Sequence, residues 1–315
     1  MTFHKLFSIY HKKHGFMANK SFLPKIIDKV IVPPIKCQGI KTQLVNFISK
    51  SIYWDAGGRW IEPFLGSGVV LFSIQPDKAL VSDTNKHIIK LYQAVQSGDV
   101  DEYNVRLFLE DYGSKLSQYG KDFYYSVRED FNETGDSLKF LFLNRSCFNG
   151  LMRFNSKARY NVPFGHKPNR FSKSYITRIV NQIARVGEII QDRDWVFQAA
   201  KWQDVLKEAK SEDFVYLDPP YIGRYSDYFS PWSEGEAIDL AKTCRSLPCG
   251  FALSMWYENK YRRNDHIHRY WPGLIQRTCS HYYHVGSKES LRNEMLEALL
   301  IRPEYAANSP EPPFD

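Results

Sequence analysis

Short apolar runs alternate with longer amphipathic stretches over most of the chain. A short apolar run bounded by glycine, proline or asparagine is typical of a buried strand. The stretch at 85–96, in contrast, brings Ile88, Leu91, Tyr92 and Val95 onto one face at the helical period. Further helices are predicted at 101–132, 137–145, 174–190 and 234–246. Strands are predicted at 59–64, 78–83, 195–199, 213–217, 250–255, 274–284 and 295–301.

Strands that alternate with helices predict an α/β fold whose sheet is mostly parallel. A helix-rich segment near residues 93–190 interrupts this alternation, and we interpret it as an inserted second domain. Within it, residues 146–172 are rich in asparagine, glycine, proline and arginine, which favours a loop or hairpin. The ends of the chain, residues 1–30 and 304–315, are expected to be a basic extension and a tail.

The composition is that of a folded protein without a membrane span. Hydrophobic residues make up 43% and charged residues 24% of the 315 positions, which argues against global disorder. No apolar run approaches the roughly 18 residues of a membrane helix, and the first residues lack the apolar core of a secretory signal. The five cysteines are an odd number without CxxC spacing. We therefore expect a reducing, cytoplasmic location, and neither a disulfide framework nor a metal site.

Positive charge is concentrated in the predicted insertion. The net charge of the chain is +7, yet residues 139–185 hold ten Lys or Arg and no Asp or Glu. An ordinary solvated face mixes charges of both signs. A long stretch of one sign instead suits a polyanion, because neutralising phosphates releases counterions. Nucleic acid is therefore the first candidate partner, and an unspecialised basic surface is the alternative.

A glycine-rich turn, EPFLGSG at 62–68, ends the first predicted strand. Glycines let the backbone turn sharply and approach a ligand closely, although the full GxGxxG of dinucleotide sites is not met. Asp83 ends the next strand, where a carboxylate can accept both ribose hydroxyls of an adenosine ligand. Together the turn and the acid indicate a nucleoside cofactor. The alternative is that Asp83 only caps the helix that begins near Asn85.

A second motif, DPPY at 218–221, directly follows the strand predicted at 213–217. Asp218 supplies a carboxylate, and the two prolines stiffen the turn and leave only carbonyls as main-chain polar groups. Two acceptors beside the flat face of Tyr221 suit the exocyclic amine of a stacked base. Each N–H can point at one acceptor, which prepares the nitrogen lone pair for attack on an electrophilic methyl. The alternative is a rigid turn that carries a surface acid.

Several motifs in one order resemble the DNA adenine-N6 methyltransferases of the Dam type. They are KCQGIK at 36–41, PFLGSG at 63–68, NRSCFNGLMRFN at 144–155, NVPFG at 161–165 and DPPYIGRYSDYF at 218–229, and the similarity covers residues 30–302. The resemblance implies a Rossmann-like S-adenosylmethionine-dependent methyltransferase fold with a mixed, seven-stranded sheet. It also implies a catalytic domain formed by 31–92 and 191–303, with a mainly helical target-recognition domain inserted at 93–190.

The resemblance also implies roles for individual residues. In the family the upstream segment contacts the methionine end of S-adenosylmethionine, Asp83 matches the ribose-binding acid, and Asp218 matches the catalytic acceptor. Many members carry an acid for the cofactor adenine before DPPY. Here 197–202 reads FQAAKW, so we expect backbone amides and packing to hold the adenine. The implied cofactor contacts are Cys37, Lys41, Glu62, Pro63, Phe64, Gly66, Ser67, Gly68, Asp83 and Asp218, and the implied catalytic residues are Asp218, Pro219 and Tyr221.

The DNA contacts are expected mainly in the basic insertion. Chemistry on a paired base requires that the base leave the duplex, so the target adenine should be flipped. Arg153 is the candidate reader of guanine, since the guanidinium fork matches two acceptors on the major-groove edge of that base. Phosphate contacts are the default for other basic side chains. The implied set is Asn144, Arg145, Asn149, Leu151, Arg153, Asn155, Lys157, Arg159, Lys167, Arg170 and Arg224.

The sequence thus predicts a monomeric enzyme that methylates adenine N6 in double-stranded DNA with S-adenosylmethionine. The expected site is GATATC or another site beginning with GAT, and the expected setting is a type II restriction–modification system with a separate endonuclease. Two alternatives stay open: an RNA or protein-amide N-methyltransferase, and a DNA-binding protein that has lost catalysis. Asparagine is commoner at position 218 in the first class, and retention of Lys41, Asp83 and Asp218 argues against the second.

Overall fold

The computed structural model describes residues 23–221, 232–259, 262–282 and 294–308. Its centre is a single sheet in which buried strands pair over most of their length. The strands are β1 (Trp60–Glu62), β2 (Lys78–Asp83), β3 (Asp194–Ala199), β4 (Phe214–Leu217), β5 (Gly250–Asn259), β6 (Arg262–Arg263), β7 (Ile275–Tyr282) and β8 (Glu294–Ile301). They lie in the order β3-β2-β1-β4-β5-β8-β7, and the short β6 pairs with β5 off this path.

Helices connect most of these strands. None of the helices in the described part of the chain is long and apolar enough to cross a membrane. The helices are α1 (Val45–Ser51), α2 (Val69–Ile74), α3 (Lys86–Ser97), α4 (Glu102–Thr134), α5 (Ser137–Ser146), α6 (Lys173–Gln191), α7 (Trp202–Leu206), α8 (Glu234–Ser246) and α9 (His266–Tyr270).

The sheet is mixed: β8 is reversed within the seven-strand path, and the short β6 is also antiparallel to β5. Strands β3, β2, β1, β4 and β5 are parallel to one another, whereas β8 is antiparallel to both β5 and β7. Ile61 in the centre of β1 pairs with Leu80 on one side and Val215 on the other. This arrangement confirms the predicted Rossmann-like methyltransferase fold. Because the central strands are parallel and in register, their carboxyl ends meet at one edge of the sheet.

Alternate residues of the central strands enter two different hydrophobic clusters. Trp60 stacks against Phe214 and Tyr216 on one face, with ring centroids 5.5 Å and 5.7 Å away. Ile61 and Val215 pack on the opposite face, which α7, α8 and α9 cover. Side chains alternate between faces at the period of two, so burial on both faces makes each strand continuously apolar. This explains why short uninterrupted apolar runs marked the strands correctly.

The helical segment between α3 and β3 packs on the first of these faces. Buried side chains of α4, α5 and α6 belong to the same hydrophobic cluster as Trp60 and Phe214. Helix α4 breaks at Gly120, whose φ of 58° and ψ of −131° are not helical. The mainly helical nature predicted for this segment is confirmed by its described elements. Its division from the catalytic part as a target-recognition domain stays a prediction.

Four short helices, the two-residue strand β6 and both chain ends differ from the sequence prediction. Helices α1, α2, α7 and α9 were not predicted, because five to seven residues are too few to display a helical period. The expected extension at 1–30 is not wholly peripheral, since Leu23 and Ile27 are buried in the core. The expected tail likewise begins inside the fold: the Ala307 amide donates to Ser51, and the Tyr305 ring lies 5.9 Å from Phe214. Residues 1–22 and 309–315 lie outside the described residues.

Candidate active site

A cavity of about 380 Å³ opens at the carboxyl ends of β1, β2 and β4. This edge is where open parallel sheets bind ligands, and the volume lies within the range of small-molecule sites. Nine of the ten residues predicted to contact a cofactor line it. They are Cys37, Lys41, Glu62, Pro63, Phe64, Gly66, Ser67, Asp83 and Asp218.

The turn between β1 and α2 forms the floor of this cavity. Gly66 and Gly68 have φ values of 53° and 77°, a left-handed conformation that side chains with a Cβ rarely adopt. A Cβ on Gly68 would also meet the Phe72 ring at 2.7 Å, which accounts for a glycine there although it does not line the cavity. The Leu65 amide donates to Ser82 of β2, so the turn is held against the neighbouring strand.

Asp83 fixes the turn from the end of β2. Its Oδ2 accepts from the Gly66 amide at 2.9 Å, and its Oδ1 accepts from the Asn85 amide at 2.8 Å. Burial raises the pKa of Asp83, and these two amides partly oppose that rise. The cap of α3 is the Asn85 side chain, which accepts from the His87 amide. Asp83 is therefore more than the helix cap considered as the alternative, because it joins the glycine turn to β2.

Lys41 and Asp218 form an ion pair inside the cavity. The Lys41 Nζ lies 2.8 Å from the Asp218 Oδ1, and only 3% of the Lys41 side chain is exposed. Lys41 also donates to the Gly39 carbonyl at 3.0 Å. Burial raises the pKa of Asp218; the Lys41 ammonium opposes that rise, and the nearby Glu297 carboxyl adds to it. The residue predicted to hold the cofactor is thus in direct contact with the residue predicted to activate the base.

Tyr221 extends this pair toward β8. Its hydroxyl donates to the Glu297 Oε2 at 2.8 Å, and the Lys41 ammonium lies 5.3 Å from the centre of its ring. Glu297 is buried, with 1% of the residue exposed. The sequence analysis did not single out Glu297, although an acid within the apolar run MLEALLI was a usable signal.

Glu62 and Cys37 have strongly raised pKa values. Burial raises the pKa of Glu62 to about 8, the Trp60 indole N–H at 3.0 Å opposes this rise, and Asp218 adds to it. Burial and the carboxyls of Asp83 and Asp218 raise the pKa of Cys37 to about 12, so its sulfur stays a thiol. Buried carboxyls with raised pKa values are better satisfied when a cation lies beside them.

DPPY separates this cavity from a smaller one of about 20 Å³. Pro220 and Trp232 line both cavities, whereas Pro219 and Tyr221 line only the smaller one. The predicted catalytic residues therefore surround the point where the two cavities meet. Further lining residues of the larger cavity that the sequence analysis missed include Thr84, Lys201, Trp202, Gln203, Trp232 and Glu236.

The chain matches a protein-family model described as "D12 class N6 adenine-specific DNA methyltransferase" over residues 38–273. This match covers the glycine turn, Asp83 and DPPY, as well as the helical segment between β2 and β3. The chain belongs to this family of adenine-specific DNA methyltransferases.

Curated members of the family show the same relationship over much of their length. The type II methyltransferase M.MjaIII of Methanocaldococcus jannaschii is 31% identical over 69% of this chain and 80% of that protein. A DNA adenine methylase of Haemophilus influenzae is 29% identical over 78% of this chain and 85% of its own length. A DNA adenine methylase of Serratia marcescens is 32% identical over 59% of this chain and 66% of that protein. Both the Dam-type resemblance and the methyltransferase activity class are confirmed.

Two residues predicted to contact DNA in this family member are buried instead. The Asn144 side chain accepts from the Lys36 amide at 2.7 Å and donates to its carbonyl at 2.9 Å. Arg145 donates to the Pro34 carbonyl and to Gln182. Only 0% and 6% of these two residues are exposed. We correct the expectation for both: in this structure they hold the 34–36 segment against the insertion and are buried, so they are not surface contacts for DNA.

Residues 153–161 form the hairpin that the sequence suggested within 146–172. Phe154 and Tyr160 make an antiparallel bridge, and the Asn155 side chain accepts from the amides at 157 and 159. The Arg153 guanidinium crosses the hairpin, donating to the Asn161 side chain at 2.9 Å and to its carbonyl at 3.2 Å. Arg153 is half-buried at the base of this hairpin.

The basic insertion is partly neutralised by acids of α4, which the charge count of 139–185 did not include. Arg159 pairs with Glu129 and Glu133 at 2.8 Å each, and Lys139 pairs with Asp130 at 2.6 Å. Arg170 is half-buried and packs on the Tyr175 ring, whereas Leu151 is half-buried. The exposed members of the predicted DNA set are Asn149, Asn155, Lys157 and Lys167, and Arg224 lies outside the described residues.

Proposed function

We propose that this protein transfers a methyl group from S-adenosylmethionine to the N6 atom of an adenine in a specific double-stranded DNA site. The observation that carries the proposal is the Lys41–Asp218 ion pair, which places the acid of the DPPY turn in the wall of the cofactor-sized cavity. An ionised, oriented carboxylate is the acceptor that an exocyclic amine needs. The family match independently supports adenine in DNA as the acceptor.

The cavity fits S-adenosylmethionine in size and in charge. Three of its carboxyls, at Glu62, Asp83 and Asp218, have raised pKa values that a cationic ligand would relieve. Asp83 offers carboxylate oxygens where a ribose would lie, and the glycine turn lets a ligand approach the backbone. When bound, S-adenosylmethionine supplies an electrophilic methyl group on a sulfonium.

The residues of this chain would act on the nucleophile. Asp218 would accept one N–H of adenine N6, and the carbonyl of Pro219 would accept the other, so that the nitrogen lone pair is directed away from the ring. The ring of Tyr221 offers a stacking surface, held by its hydrogen bond to Glu297. Lys41 would keep Asp218 ionised in spite of its burial. Attack would be direct, without a covalent enzyme intermediate: as N6 bonds to the methyl group, the bond between that methyl and the sulfonium sulfur breaks, and N6 gives up one proton to leave a neutral methylated amine.

Replacing Asp83 tests its assignment to the ribose. Asp83→Ala is expected to weaken binding of S-adenosylhomocysteine by about 1.5–3 kcal/mol, the range for hydrogen bonds to a charged group. Isothermal titration calorimetry measures this directly. Asn85→Ala is the matched control, because it removes the cap of α3 and leaves Asp83 in place. Equal affinity in Asp83→Ala and the wild type would leave Asp83 a structural residue only.

Cofactor binding should release a proton from Glu62. The pKa of this carboxyl, about 8, leaves it mostly protonated at neutral pH. A bound cation favours the ionised form and lowers that pKa, so a proton leaves, and affinity should increase from about pH 6 to about pH 9. Calorimetry measures this: the binding enthalpy is compared between buffers of different ionisation enthalpy, and its dependence on the buffer gives the number of protons released. Glu62→Gln should abolish the release, and a wild-type protein that releases no proton at pH 7 would contradict the prediction.

We further propose that the insertion selects the site, which is GATATC or another site beginning with GAT. Arg153→Ala should relax the choice of sequence, because a guanidinium paired with guanine contributes about 1–3 kcal/mol of discrimination. Lys157→Ala is the control at the tip of the same hairpin, and it should weaken binding to every sequence and reduce the salt slope by about one. Methylation of the cognate site and of singly altered sites, measured over a salt series, separates the two. An equal loss of methylation at the cognate and the altered sites in Arg153→Ala would mean that another residue recognises the guanine.

The experiment that tests the whole proposal is transfer of labelled methyl from S-adenosylmethionine to DNA, RNA and protein substrates. Label in duplex DNA at adenine N6 is expected, and sequencing of the modified DNA gives the site. Protection of that DNA from a restriction enzyme of the same specificity would support a role in restriction–modification. Label in RNA or protein alone, or cofactor binding without transfer, would overturn the proposal.

A further inference from the structure

Glu236, on the first turn of α8, lines the larger cavity beside two side chains of α7. Its Oε2 accepts from the Trp202 indole N–H at 3.0 Å and from the Gln203 amide at 3.3 Å. Two donors from a neighbouring helix thus fix the orientation of this carboxylate. Both donors bind the same oxygen, Oε2. The second carboxylate oxygen, Oε1, has no hydrogen bond among the described residues.

The position of this group follows from the strand order. Asp83 ends β2, and Trp202 and Gln203 follow β3, the strand next to β2 on the side away from β4. A ligand that extends from Asp218 across the glycine turn to Asp83 therefore reaches the α7 side chains next. In an adenosine ligand the part beyond the ribose is the base. Glu236 is accordingly a neighbour of the adenine rather than of the sulfonium.

Four carboxyl side chains line the described part of this cavity, and each of them already has a partner. Asp83 accepts from two backbone amides, Asp218 is paired with Lys41, and Glu62 accepts from Trp60 at the β1 end. Glu236 accepts through Oε2 alone, and it is the one of the four that lies beside an unused amide oxygen. The Gln203 Oε1 next to it is buried and has no partner among the described residues. An amine with two N–H bonds would find two unused acceptors here, and a buried acceptor without a partner costs about 1–3 kcal/mol.

Aromatic side chains complete a site suited to a flat ring. Trp232 packs edge-on against Phe64, with ring centroids 5.6 Å apart, and both line the cavity. Trp202 is buried beneath Glu236 and cannot turn away without losing its indole hydrogen bond. Apolar walls with a few placed polar groups are the usual composition of a site for a nucleobase.

We propose that Glu236, oriented by Trp202 and Gln203, accepts a hydrogen bond from the exocyclic amine of the cofactor adenine. This inference rests on the proposed function, since it names the residue that reads the base of the same cofactor. It replaces the expectation that backbone amides and packing alone hold the adenine. It also accounts for the absence of an acid in 197–202: the carboxylate comes from the helix after β4 instead.

The test compares two ligands that differ at the amine. S-adenosylhomocysteine carries the N6 amine, whereas S-inosylhomocysteine carries an oxygen that can only accept there. Calorimetry should show that the wild type binds the adenine ligand about 10- to 100-fold more tightly. In Glu236→Gln the remaining oxygen should stay with the Trp202 and Gln203 donors, so an NH2 would face the base. This variant should lose about 10-fold or more for the adenine ligand and gain affinity for the inosine ligand.

Asp239→Asn is the matched control, because it removes the same charge from an exposed position of the same helix. It should bind both ligands as the wild type does. An unchanged ligand preference in Glu236→Gln, or an equal loss for both ligands, would overturn the inference while cofactor binding still stands. A wild-type protein that binds neither ligand would instead overturn the proposed function itself.

Discussion

Asp218→Ala is expected to lower the rate of methyl transfer by about 100- to 1,000-fold, the usual effect of removing one oriented hydrogen-bond partner of a transition state. Asp218 is the carboxyl that the DPPY turn presents beside the cofactor cavity, and Lys41 holds it at 2.8 Å. Without it, adenine N6 would have only the Pro219 carbonyl as an acceptor. The measurement is single-turnover transfer to duplex DNA with saturating cofactor.

Binding measurements distinguish lost chemistry from lost folding in this variant. Affinity for duplex DNA should remain close to the wild-type value, because Asp218 would contact only the flipped base, whereas the exposed Lys157 and Lys167 of the insertion would contact phosphates. Asp218→Asn preserves the shape and removes the charge, so it should also be severely impaired. Near-normal turnover in either variant would refute the assignment of DPPY as the amine-binding turn.

Lys41→Met is expected to move the acid limb of the pH–rate profile to higher pH. Burial raises the pKa of Asp218, and the Lys41 ammonium is the group that opposes this rise. Removing the ammonium lets the pKa rise further, so Asp218 takes up a proton at a higher pH. In the proposed mechanism the activity depends on the ionised carboxylate, so it should be lost earlier as the pH falls. At a fixed pH on this limb, each rise of about one unit in the pKa of Asp218 lowers the ionised fraction, and hence the rate, about tenfold.

The control for this prediction is Lys41→Arg, which keeps the positive charge beside Asp218. It should retain an acid limb near that of the wild type, even if the bulkier guanidinium reduces the rate. The profiles should be measured at saturating cofactor, so that a change in cofactor affinity does not appear as a change in rate. Parallel profiles for the wild type and Lys41→Met would mean that Lys41 acts in binding alone.

Several residues predicted to belong to the functional sites make contacts in the folded structure that their predicted roles did not include. Lys41 was expected to contact the cofactor, and it also forms an ion pair with Asp218, the predicted catalytic residue, 177 positions away in sequence numbering (41 to 218). Arg159 was expected on phosphate, but it is paired with two acids of α4. Charge counted along a window misses partners that folding brings from another helix. Asn144 and Arg145 belong to a motif of the family, yet motif membership does not distinguish a surface residue from an internal one.

Local sequence patterns were enough to identify every described strand except the two-residue β6, the longer helices, the glycine turn and the acids at the strand ends. These features depend on local chemistry: a strand buried on both faces is apolar throughout, and a left-handed turn selects glycine at positions 66 and 68. The order of the motifs was also sufficient for the family. Each single motif is contained within a few neighbouring residues, and the order of the motifs can be read directly along the chain.

Which distant side chains meet at the cavity, in contrast, depends on the three-dimensional arrangement of the elements. Glu297 reaches Tyr221 because β8 inserts between β5 and β7, and Glu236 reaches Trp202 because α8 packs beside α7 on one face of the sheet. Neither contact can be recognised from the periodicity or composition of the sequence, because the local sequence around a single acid does not depend on which side chain it contacts in the fold. The partner of a buried polar group is set by strand order and helix packing, and these are properties of the whole fold.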